Sequence, residues 1–103
     1  RWSLEPFNGD WSSSIFISQD PVAIDSVAFD FLRNETNLLN YTENYLHEAA
    51  KPQEFSRKRY DPEKDGSYLT SLGVHEHWNN SQEKLYSGNL NSDEKGIELI
   101  KIK

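Results

Sequence analysis

Ile15-Phe16-Ile17-Ser18-Gln19-Asp20-Pro21-Val22-Ala23-Ile24-Asp25-Ser26-Val27-Ala28-Phe29-Asp30-Phe31-Leu32 is the stretch on which the reading of the fold turns. Ile15-Phe16-Ile17 is a short apolar run of strand length. Asp20 then suits a helix N-cap, because its carboxylate can accept from the first free backbone N–H groups. Pro21 suits the first helical position, where its missing N–H costs nothing. Val22, Ala23, Ile24, Val27, Ala28, Phe31 and Leu32 follow at helical spacing and form a wide apolar face. Asp25, Ser26 and Asp30 are expected largely on the other side. The stretch predicts strand, cap and helix in succession.

Upstream, Trp2, Phe7 and Trp11 are set among Pro6, Gly9 and several serines, which reads as an irregular, aromatic-anchored lead-in. Downstream, a second helix is expected from Thr42 to Ala50, with Thr42 as cap and Tyr45, Leu46, Ala49 and Ala50 as its apolar stripe. Pro52 blocks its continuation. A surface excursion follows, carrying the basic Arg57-Lys58-Arg59 and the turn-rich Asp61-Pro62-Glu63-Lys64-Asp65-Gly66. The segment from Gly96 to Lys103 places Ile97, Leu99, Ile100 and Ile102 in a terminal strand. The expected fold class is α/β, with mixed α+β as its variant: a strand–helix unit, a second helix, long loops and a C-terminal strand.

The chain has 103 residues, enough for a single small domain, and is only 35% hydrophobic. Its mean hydropathy of -0.84 points to a modest core. Lys and Arg number 11 against 17 Asp and Glu, a net charge of -6 that argues against nucleic acid, whose binding needs a basic face. With no Cys, this segment holds no disulfide, iron–sulfur cluster or thiol nucleophile. No apolar run approaches the ~20 residues of a membrane span, so a soluble chain is expected, in a bacterial cytoplasm or outside it after removal of a signal. The absence of Met suggests a processed or excerpted chain, whose core partner is the remainder of a parent or another copy.

His75-Glu76-His77-Trp78-Asn79-Asn80 is the densest candidate site. On an extended backbone His75 and His77 project to one face and Glu76 to the other. Two imidazoles can take a divalent metal when a third ligand arrives from elsewhere, with His47, Asp20 and Asp25 as the candidates. Against this stands the simpler reading that the histidines bond to carbonyls and pack a loop. Asp20, Asp25 and Glu76 are the candidate catalytic carboxylates, although capping already accounts for Asp20. Trp11, Trp78, Asn79 and Asn80 form a candidate ligand-binding surface, with core packing as the alternative for the rings. Asp61 to Gly66 opens like a calcium loop, but Leu72 stands where the bidentate Glu is needed, which favours a plain turn.

The run from Ser18 to Val27 resembles the Asp-Pro-Val-Ala-x-Asp signature of the bacterial domain-of-unknown-function family 362. Tyr45-Leu46-His47-Glu48-Ala49-Ala50, residues 71–80 and Gly96-Ile97-Glu98-Leu99 add to the resemblance. It implies the closing portion of a larger α/β domain. Some relatives carry iron–sulfur modules, which a chain without Cys cannot share. The resemblance marks Asp20 and Asp25 as matching the signature and transfers no reaction. Three function classes stay open: a His/carboxylate wall of a ligand or active site, binding a small molecule; a carbohydrate- or peptide-binding module; and a structural domain.

Overall fold

The computed structural model describes residues 2–36, 42–55, 61–91, 93 and 95–102, with only the backbone of Phe55. Among them run α1 (Pro21–Glu35), α2 (Asn44–Ala50), α3 (Pro52–Phe55) and α4 (Ser87–Leu90). The basic cluster Arg57-Lys58-Arg59 lies outside the described residues.

Helix α1 organises the chain. Asp20 Oδ1 accepts from the backbone N–H groups of Val22 and Ala23, both at 2.9 Å, and Arg33 in the last turn complements the helix dipole. The helix has two apolar faces. Ala23 and Val27 pack with Tyr86 and Ile97, flanked by Phe31, Val74, Trp78 and Leu99. Val22 and Phe29 pack with Leu46, flanked by Ala49 and Ala50. Each fully buried aliphatic or aromatic side chain here is worth about 1.5–3 kcal/mol. Between the two faces runs a polar row, and here the expectation of an outward polar side fails. Ser26 and Asp30 are buried, at 0% and 1% exposure.

The expected α/β class is overturned. The described residues are about 33% helix and contain no strand. Residues 15–17 form no strand with any other described residues, and Ile15 and Ile17 are 88% and 89% exposed. In the terminal segment, side chains take the place of a partner strand. Leu99 N–H donates to Asn89 Oδ1 and Asn89 Nδ2 donates back to Leu99 C=O, both at 3.0 Å. Ile97 N–H donates to Glu76 Oε1 at 2.6 Å. Those contacts, with Gly88 N–H donating to Ile97 C=O at 2.8 Å, satisfy the backbone of residues 97 and 99 without forming a sheet. Ile15, Ile17, Ile100 and Ile102 are among the large apolar side chains left exposed.

Helix α2 begins at Asn44, and its N-cap is Glu43, which makes no side-chain cap bond because its carboxylate is turned elsewhere. Pro52 ends the run as expected and starts the short α3. In the turn after residue 60, Asp61 accepts from Asp65 N–H at 3.1 Å and Gly66 N–H at 2.9 Å, which spends its carboxylate on the turn itself. No helix among the described residues is long and apolar enough to cross a membrane.

Asp20 also fixes where residues 71–80 lie. Its Oδ2 accepts from Val74 N–H at 2.9 Å, and Gly73 is required beside it because a Cβ there would overlap the carboxylate. Asp20→Ala should therefore lower unfolding stability by about 1–3 kcal/mol in urea melts, the cap and the anchor failing together. A loss below about 0.5 kcal/mol would contradict this double role.

Candidate metal centre

The site forms because two spacings match. Ser26 and Asp30 are four residues apart on one helical face, a rise of about 6 Å. His75 and His77 are two residues apart on extended chain, about 6.6 Å. With Asp20 holding Val74, the two rows pair in register. Ser26 Oγ lies 2.7 Å from His75 Nδ1, and Asp30 Oδ1 lies 2.6 Å from His77 Nδ1. The other face of the segment is separate: Glu76 accepts from Ser87 Oγ at 2.7 Å and from Ile97 N–H.

The far nitrogens of both rings meet Glu43. Its Oε2 lies 3.1 Å from His75 Nε2, 2.7 Å from His77 Nε2 and 3.5 Å from His47 Nε2. Glu43 and His47 stand four residues apart at the start of α2, so one helical turn delivers both. Glu43, His47 and His75 offer ligand atoms that all lie within 4.8 Å of one another. The His75 side chain is 3% exposed, whereas those of Glu43, His47 and His77 are more open to solvent.

Protonation can be followed around the site. Ser26 has one hydroxyl proton, and it goes to the Val22 carbonyl at 2.8 Å. His75 Nδ1–H therefore donates to Ser26, and Nε2 lies against the Glu43 carboxylate at 3.1 Å. Burial pushes the His75 pKa down, helped by the charges of His47 and His77 and opposed by Glu43. For Glu43, burial alone would raise the pKa. The charge of His77, hydrogen bonds from His75 and His77, and the charge of His47 outweigh it and hold the carboxyl below its ordinary value.

The remaining sequence candidates fall elsewhere. Asp20 is a cap and anchor. Asp25 is exposed on α1, and its charge, after burial, raises the Tyr45 pKa. Trp78 packs edge-on against Phe31 at 5.1 Å and belongs to the core. Trp11 is 85% exposed. Asn79 and Asn80 hold the turn that follows, accepting from Leu85 N–H and Glu83 N–H. The sequence reading missed Ser26, Asp30 and Glu43. The signal for them was the match of an i, i+4 polar pair with an i, i+2 histidine pair, together with Glu43-x-x-x-His47.

Comparison with known proteins matches no family model, no curated protein and no solved structure.

Both shifts set the pH dependence of the metal-free chain. His75 binds its proton more weakly folded than unfolded, so stability falls as pH drops below about 6.5. Glu43 contributes stability that is present above 4.5 and is lost as pH falls through its lower folded value. In chelator, the urea midpoint at pH 5 should lie below that at pH 7.5. An equal or higher midpoint at pH 5 would contradict these assignments.

Proposed function

We propose that the chain is a metal-binding domain, presenting Glu43, His47 and His75 as a His/carboxylate wall to a divalent transition metal. The observation that carries the reading is the cluster of Glu43, His47 and His75, whose ligand atoms all lie within 4.8 Å of one another. Imidazole with carboxylate suits zinc, cobalt or nickel, whereas magnesium and calcium favour all-oxygen shells. Ser26 supports the set by fixing the His75 tautomer, as a hydrogen-bonding partner behind a ligand does.

The aromatic-platform reading has less support, since Trp78 is partly buried against the core and Asn79 and Asn80 bond to their own turn. Kinship with the closing part of family 362 is proposed on the likeness of residues 18–27. In this chain Asp20 of that signature is a cap and Asp25 is exposed.

Calorimetric titration of the chelator-stripped chain with zinc should give one site per chain. His47→Ala, at a half-exposed position, should weaken it about 100-fold or more with the circular dichroism unchanged. No uptake at micromolar zinc, or full affinity in His47→Ala, would overturn the proposal.

A further inference from the structure

Among the described residues, the group of mutually close ligand atoms ends at Glu43, His47 and His75. His77 stands outside it, with Nε2 2.7 Å from Glu43 Oε2 and Nδ1 2.6 Å from Asp30 Oδ1, a neighbour of the carboxylate and not a ligand. Structural zinc sites are closed by four protein ligands, whereas a site with three keeps a position for water or another small molecule. The group also borders solvent. The side chains of His47 and Glu43 are 43% and 21% exposed, and only that of His75, at 3%, is enclosed.

Arg33 sets the charge that a molecule in that position should carry. Its guanidinium lies 3.9 Å from Glu43 Oε1 and 3.5 Å from Asp30 Oδ1, both longer than a hydrogen bond. The side chain is 35% exposed and rests over the Phe29 ring, 5.7 Å from its centroid. Among the described residues its N–H groups make no hydrogen bond, so a planar fork of donors is left beside the ligand carboxylate. Asp30 offsets the charge of Arg33, and a divalent ion carries more charge than Glu43 cancels, which leaves the loaded site positive. Surplus positive charge next to a fork of donors selects an oxyanion, as in a phosphate or carboxylate group.

We propose that the centre takes a small oxyanion in its fourth position, with one oxygen on the metal and another on the Arg33 guanidinium. The inference rests on the metal-binding reading above and adds to it the class of ligand that the loaded site binds. The anion replaces water, and no covalent bond of the chain changes.

The test uses the full chain loaded with cobalt, whose visible bands respond to any change among its ligands. Inorganic phosphate and acetate are titrated separately at saturating cobalt. The bands should shift with either anion and saturate at one anion per metal. Arg33→Gln, with its circular dichroism unchanged, should raise the half-saturating phosphate concentration about 10-fold. If cobalt binds and neither anion moves the bands, the open position is refuted and the three-ligand site stands. An unchanged half-saturation in Arg33→Gln would overturn the bridging oxyanion, since the anion would then need only the ion. If cobalt does not bind, both readings fall. The wild-type titration decides the point even where the variant does not fold.

Discussion

The buried carboxylate of Asp30 is the contact on which the arrangement depends. It sits at 1% exposure in the middle of α1 and ties together three pieces of chain. The Trp78 backbone and the Tyr86 hydroxyl bind one oxygen, and His77 and Arg33 face the other. An ionised carboxylate removed from water costs several kcal/mol unless every lone pair is met. The segment 75–78 is therefore confined to the one register that meets them. Burial and the Asp30 bond push the Tyr86 pKa up, so the phenol remains a donor.

From that register the rest follows. The same pairing sets Ser26 against His75, and the two rings then reach Glu43 at the head of α2. The apolar faces of α1 flank the polar row on either side and shield it, one with the C-terminal segments and one with α2. The core they form is small. The radius of gyration is 15.7 Å, against about 13 Å for a compact chain of this length. A small core gains most from a cross-link, which is why the metal proposed on Glu43, His47 and His75 would matter to the fold itself.

Much of α1 was legible because its signals are local: Asp20 and Pro21 start it, and apolar spacing carries it. Pro52 likewise marked the end of α2. Ser26 and Asp30 were assigned to solvent because a binary pattern treats every polar residue in an amphipathic helix as outward. What overrides the pattern is a partner 45 or more residues away, as in Ser26 with His75 and Asp30 with His77. The strands failed for the opposite reason. Ile15-Phe16-Ile17 and the terminal isoleucines have β-propensity, but a strand exists only with a neighbour, and Asn89 and Glu76 supply side-chain substitutes instead. The histidine pair was visible as an i, i+2 spacing. Glu43, which gathers it, carried no signal beyond its distance from His47.

Zinc K-edge absorption on the zinc-loaded chain tests the central claim most directly, because it counts the imidazoles that the register brings together. The account predicts one zinc per chain with two imidazole nitrogens and one carboxylate oxygen at about 2.0–2.1 Å. A shell of one imidazole or none, completed by water or other oxygens, would contradict it.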